Sequence, residues 1–232
     1  MIKSKLENIP LILHKTGENY LNSTTIKLFD FFSMSNPSVR VEYYTASMRR
    51  IFIQIHFDND VLDAYDQLNS VYYKIELFKY CLLYIKGGIY GDLEQQYLAS
   101  LSKIIDLTKD LCLTAKSEKD PNIIGLSFIA AKPKLQLFLD VINTCVTNIK
   151  NKDYGNEPND ITGSNVFTTI FEKHKNHLNY EFSVYETKNS LNNIKTNQAI
   201  IDKKINGFTR LKQKMNNQNY IREWNSKKVF LN

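Results

Sequence analysis

Lys74-Ile-Glu-Leu-Phe-Lys-Tyr-Cys-Leu-Leu-Tyr-Ile-Lys-Gly-Gly-Ile-Tyr-Gly-Asp-Leu-Glu94 decides how this chain of 232 residues is read. Ile75, Phe78, Leu82 and Ile85 recur at spacings of three and four, as do Leu77, Tyr80, Cys81 and Tyr84, so the spacing predicts a helix over 72–85. Gly87-Gly88 ends it, as glycine does at a helix C-terminus. Ile89-Tyr90 reads as a very short strand, followed at once by Gly91-Asp92-Leu93-Glu94. In an extended backbone, residues two apart face the same side, so Asp92 and Glu94 would approach one divalent cation. Ligands of open α/β sheets bind outside the carboxyl ends of the strands, which is where this pair falls. Hard cations such as Mg²⁺ or Mn²⁺ favour carboxylate oxygens and are completed by substrate phosphates. Alone, an acid pair is a weak signal, since such pairs are common on solvated strand ends.

Upstream, Ile9-Pro10-Leu11-Ile12-Leu13-His14 is an apolar run that reads as a buried first strand. Residues 24–32 carry helical spacing, Asn36-Pro37-Ser38 is a turn, and 39–44 alternates as a second strand. Ser47 is placed to cap a helix running to Phe57, and Asn59-Asp60 opens another over 61–68. Downstream, 123–131 reads as a buried strand, 134–149 as an amphipathic helix and 151–160 as a polar loop. Thr162-Gly163 opens a helix to His174, and the segment after Tyr180 is strand-like. Strands alternating with helices predict an α/β domain with a mostly parallel central sheet in three layers.

With 43% hydrophobic and 12% aromatic residues the chain is globular rather than disordered. The net charge of +6 is scattered, thickening only at Lys203-Lys204 and at Lys212, Lys214, Lys227 and Lys228. No zinc-finger spacing or aromatic RNA-binding box accompanies it, so the expected anionic partner is a phosphate-bearing ligand and not nucleic acid. Cys81, Cys112 and Cys145 are odd in number and far apart, which points to core thiols in a reducing compartment. His174 and His177 lie three apart with no carboxylate to complete a metal site, and read as surface residues. No apolar stretch is long enough to span a bilayer and no signal-like segment opens the chain, so a soluble, cytoplasmic protein is expected.

The segment from Lys74 to Glu94 resembles the signature of glycosyltransferase family 32, the DxD sugar-binding group. Lys74, Tyr80, Leu83, Tyr84, Gly87, Gly88, Ile89, Tyr90 and Asp92 fall on its fixed positions. Ile9-Pro10 with Ile12, His14 and Thr16 resembles the family's opening strand, and Ala64-Tyr65-Asp66 the approach to the signature. Ala131-Lys132-Pro133-Lys134, Ile161-Thr162-Gly163 and the closing Tyr220, Trp224 and Val229 resemble later landmarks, so the likeness spans nearly the whole chain. The small size and Asn/Lys/Ile-rich composition are most similar to the short versions found in AT-rich genomes such as those of large DNA viruses.

That resemblance implies a GT-A fold, a three-layer α/β/α arrangement, in one domain over 1–232. Residues 1–98 would bind the nucleotide sugar and 99–232 would form the acceptor side. It implies a retaining, metal-dependent transferase moving a hexose or N-acetylhexosamine from a UDP- or GDP-sugar to a glycan or glycoprotein hydroxyl. Asp92 and Glu94 would hold Mn²⁺ or Mg²⁺ and act in catalysis. The donor would meet His14, Lys15, Thr16, Lys74, Glu76, Lys79, Gly87, Gly88, Tyr90 and Asp92, with Glu76 and Lys79 orienting its hydroxyls. Asp160, Thr162, Gly163 and Asn165 would look towards the acceptor.

Three departures stand out: Glu94 and Glu76 replace family aspartates, and Lys79 replaces an arginine. Arg and Lys are not interchangeable where a bidentate grip is needed. The departures keep open a non-catalytic nucleotide-sugar- or carbohydrate-binding module on the same fold. Bland readings also stand for His14 as a sheet-edge histidine, for Lys74 and Lys79 as snorkelling lysines, for Gly87-Gly88 as a helix stop, for Tyr90 as core, and for Thr162 to Asn165 as a helix cap.

Overall fold

A computed structural model describes residues 8–116, 123–203 and 219–231. Strand β1 (Ile12–Thr16), helix α1 (Ser23–Ser35) and strand β2 (Arg40–Tyr44) open the domain, followed by α2 (Ala46–His56), α3 (Asn59–Gln67) and α4 (Val71–Lys86). Strands β3 (Gly88–Gly91), β4 (Gln96–Tyr97), β5 (Leu111–Ala115) and β6 (Ile124–Ala131) come next. Helices α5 (Gln136–Lys150) and α6 (Ser164–His174) precede β7 (Tyr180–Glu186), β8 (Ser190–Asn193) and β9 (Ala199–Asp202).

Short polar side chains set the helix starts. Asn22, Thr45 and Asp58 accept the Thr25, Met48 and Val61 amides at 2.9, 3.4 and 3.2 Å, the ordinary N-cap arrangement. The cap of α2 is therefore Thr45, two residues before the expected Ser47. Helix α4 ends where Gly87 takes φ +61° and Gly88 φ +93°, values open to glycine. A Cβ on Gly88 would stand 2.8 Å from the Ile12 carbonyl and 2.9 Å from His14 Nε2. The double glycine thus lets α4 turn directly into β3 against β1.

Among the described residues the sheet has nine strands in the order β2-β1-β3-β6-β5-β7-β8-β9-β4. The β1–β2, β1–β3 and β5–β7 pairings are parallel. The β3–β6, β5–β6, β7–β8, β8–β9 and β4–β9 pairings are antiparallel. The sheet is therefore mixed, not mostly parallel. A parallel pair needs a long crossover, and among the described residues no α-helix lies between β3 and β6. Strand β5 had no sequence cue beyond the short apolar run Leu111-Cys112-Leu113, and β4 is two residues long.

Alternation along the strands divides the core between two faces. Tyr90, Ile129, Ala131, Leu111 and Leu113 join α2 to α6 in the larger cluster. Ile89, Phe128, Ala130 and Cys112 point the other way, into a cluster with Phe32 of α1, Leu101, Leu191 and Ile201. Cys81, Cys112 and Cys145 are buried and free, and burial pushes the Cys112 thiol up to about 12. No helix among the described residues is long and apolar enough to cross a membrane.

Candidate active site

Asp92 follows the last residue of β3. Its amide donates to the Ser127 carbonyl at 3.0 Å, and its own carbonyl accepts the Gln95 amide at 3.2 Å and the Lys15 ammonium at 2.6 Å. The Gln95 bond closes a turn over 92–95, so Asp92 and Glu94 do not share one face of a strand as expected. Gly91, opposite Phe128, is the last residue of β3, and the turn at 92–95 takes the chain off the strand just before the acids. The Asp92 carboxylate makes no hydrogen bond or ion pair with another described side chain.

That carboxylate opens into a pocket of about 280 Å³ shared with Glu76, Lys79, Ser127, Asn159, Ser164 and Glu186, with Tyr72 and Tyr220 on its wall and Lys116 also lining it. Protein crowding around Asp92 raises its carboxyl, Lys79 opposing the shift and Glu186 reinforcing it. The residue is nevertheless exposed to the pocket, so water screens part of that effect. Burial likewise raises the Glu76 carboxyl against the pull of Lys79.

Glu76 and Lys79 lie one helical turn apart on α4, and Lys79 is 1% exposed. The Lys79 ammonium donates to Glu76 Oε1 and Oε2 at 2.9 and 3.0 Å and to the Leu126 carbonyl at 2.7 Å. It also sits 4.6 Å from the centroid of the Tyr90 ring. The ammonium is thus held by two protein groups, the Glu76 carboxylate and the Leu126 carbonyl. Lys79 therefore holds Glu76 in place while itself lining the pocket.

The other expected donor residues stand behind this pocket instead of lining it. His14 is fully buried, bonded through Nε2 to the Gly87 carbonyl at 2.8 Å, with Nδ1 3.4 Å from Glu42 Oε2. Nδ1 has no hydrogen-bond partner, so that second contact lacks hydrogen-bond geometry. Lys15 lies 4.9 Å from the Tyr97 ring centroid, and burial brings its ammonium down to about 7 against the pull of Asp92. Thr16 accepts from Arg49, which also donates to the Gly17 carbonyl and to Tyr65 and pairs with Glu18. Lys74 packs 5.4 Å from the Tyr65 ring centroid. Gly87, Gly88 and Tyr90 shape the backbone beneath the site, and Glu94 lies in the turn outside the pocket wall.

The expected acceptor-side residues brace the loop before α6. Asn165 donates to Asp160 Oδ1 at 2.7 Å, and Asp160 Oδ2 accepts the Asn156 and Glu157 amides at 2.8 Å each. Thr162 is buried, bonded to the Tyr73 carbonyl at 3.3 Å, and Gly163 is the N-cap residue of α6 with no side-chain cap. A Cβ on Gly163 would meet Asn159 at 2.9 Å. The pocket receives their neighbours, Asn159 and Ser164.

Glu186, Ser127, Tyr72 and Arg49 escaped the sequence reading. Glu186 alone had a usable cue, an acid at the carboxyl end of a strand, the same cue that marked Asp92. Among the described residues no group of three His, Cys, Asp or Glu side chains comes together to hold a metal ion. His174 bonds Asp140 at 2.8 Å, away from the pocket. Of the basic cluster near the C-terminus, Lys204, Lys212 and Lys214 lie outside the described residues.

Residues 22–111 match the family model described as the glycosyltransferase sugar-binding region containing the DXD motif. This span holds Glu76, Lys79 and Asp92, supports a glycosyltransferase, and is narrower than the likeness drawn from the sequence. Among the solved structures that match is PaToxG glycosyltransferase, at TM-score 0.55 and 14% identity, covering 72% of this chain and 70% of that one. At that identity the likeness is one of fold. No curated protein sequence matches this chain.

Proposed function

We propose that this chain is a retaining glycosyltransferase that moves a hexose or N-acetylhexosamine from a UDP- or GDP-sugar to a hydroxyl of a glycan or glycoprotein, on a single GT-A-like domain. The reading is carried by one juxtaposition. Within the span matching the sugar-binding family, the unbonded Asp92 carboxylate shares its pocket with the buried Glu76–Lys79 pair. A cavity of about 280 Å³ suits a sugar better than a whole nucleotide sugar, since small-molecule sites span roughly 300–1,000 Å³.

Asp92 fits a hard divalent cation, being an anionic oxygen donor open to the pocket with no competing side-chain bond. We assign Mg²⁺ or Mn²⁺ to Asp92, with Glu94 of the same turn as its neighbour. When bound there, such an ion would neutralise charge on the departing diphosphate. The chain's own residues do the rest. Lys15 fixes the Asp92 carbonyl, and Arg49 clamps the loop of Thr16, Gly17 and Glu18 beside it. Glu76, held by Lys79, accepts hydroxyls of the sugar. Lys116 supplies positive charge for the diphosphate, and Asn159 and Ser164 face the acceptor.

The test is nucleotide release from UDP- and GDP-sugars with Mn²⁺, Mg²⁺ or EDTA, on wild type and Asp92→Ala. Cation-dependent release lost in Asp92→Ala is the expected result. Donor binding without release, even with acceptors supplied, would replace the transferase by a binding module. Failure to bind any nucleotide sugar would overturn the site.

A further inference from the structure

Glu186 closes β7 on the pocket wall, and its carboxylate is held from two sides. The Ser127 hydroxyl donates to Oε1, and the Lys203 ammonium stands 3.3 Å from Oε2. Gly125 leaves the space that Oε1 occupies, since a Cβ there would lie 2.8 Å from it.

Lys116, Asn159, Ser164 and Tyr220 bring hydrogen-bond donors to one part of the pocket, while the part beside Glu186 is rich in acceptors. Glu76, Asp92 and Glu186 all present carboxylates to it. Lys79 donates to Glu76 and the Leu126 carbonyl, Ser127 to Glu186, and Tyr72 to Asn159 at 3.0 Å. Such a wall accepts hydrogen bonds. A neutral sugar meets it with several O–H donors, whereas a uronic acid adds a carboxylate that faces like charge. Specificity is often built from such a repulsive element.

We infer that Glu186 is a specificity-determining residue that admits neutral sugars and rejects those bearing a carboxylate. This rests on the assignment of the pocket to the donor sugar. Lys203 tempers the exclusion, because it neutralises part of the Glu186 charge.

The experiment measures affinities of wild type, Glu186→Gln and Lys203→Gln for UDP-glucose against UDP-glucuronate and for GDP-mannose against GDP-mannuronate. Within each pair the nucleotide and diphosphate contributions cancel, and repeating the comparison in EDTA separates any attraction between a cation and the uronate carboxylate. Wild type should prefer the neutral member by about tenfold or more. Glu186→Gln keeps the Ser127 hydrogen bond and frees Lys203, so the preference should fall towards parity. Lys203→Gln should sharpen it, and carries the test if Glu186→Gln melts early. A wild type that prefers the acidic sugar, or variants that keep the wild-type ratio, would overturn the inference and leave the transferase reading standing. A wild type that binds none of the four compounds would remove the donor pocket, and this inference with it.

Discussion

At Asp92 and Lys79, two charged groups of one pocket have opposite relations to the protein. The Asp92 side chain is exposed and bonds no described side chain, so its removal should leave the fold intact. Asp92→Ala is expected to lower nucleotide release by about 100-fold or more, the scale of losing one electrostatic stabiliser, with an unchanged melting temperature. Lys79 is buried with three polar contacts made, and its loss leaves the largely buried Glu76 carboxylate without its partner. Lys79→Met should therefore cost about 3–5 kcal/mol in urea unfolding. Equal destabilisation by both substitutions would mean that Asp92 is structural.

Between helix and strand, the turn from α4 into β3 and the tie from β2 to α4 carry the local geometry. Gly88 combines φ +93° with a backbone carbonyl 2.8 Å from any added Cβ. Gly88→Ala should cost about 1–3 kcal/mol for the backbone conformation alone, measured by denaturant unfolding, and more if β1 must shift. Glu42 of β2 meets His14 of β1 at 3.4 Å, Tyr44 at 2.6 Å and Lys86 of α4 at 2.9 Å. The His14 contact, with help from Tyr44 and Lys86 and against burial, holds its carboxyl well below the usual value of 4.5. A depressed carboxylate binds fewer protons folded than unfolded, so its stabilisation is present above pH 4.5 and is lost as pH falls below it. Glu42→Gln should be about 2 kcal/mol less stable near neutral pH, and the gap should close in acid. A gap independent of pH would mean that packing, not charge, ties β2 down.

Over the whole molecule, local periodicity was legible and long-range assembly was not. The run from residue 72 to Tyr90 could be read because helical spacing, two glycines and a strand all lie within one segment. Strand direction could not, because Leu111–Ala115 and Ile124–Ala131 follow β3 with no α-helix between them among the described residues, and no residue type announces an antiparallel return. For the same reason Asp92 and Glu76 were visible as motif positions, while Glu186 enters the pocket from a strand far along the chain and Tyr220 was legible only as a closing landmark, not as pocket wall. Tyr220 stacks on Tyr72 with ring centroids 4.0 Å apart and 17° between planes. Its segment is anchored separately, by Trp224 Nε1 to the Tyr154 carbonyl at 2.7 Å and by the Asn69 amide to the Val229 carbonyl at 2.7 Å. Because that anchoring does not depend on the Tyr220 ring, Tyr220→Ala should keep the segment in place while opening the pocket wall. The expected result is a donor KM raised about three- to tenfold, the worth of one aromatic contact, with kcat and melting temperature near wild type. An unchanged KM with a lowered melting temperature would instead make Tyr220 a packing residue that closes the larger core cluster beside Tyr72 and Tyr73.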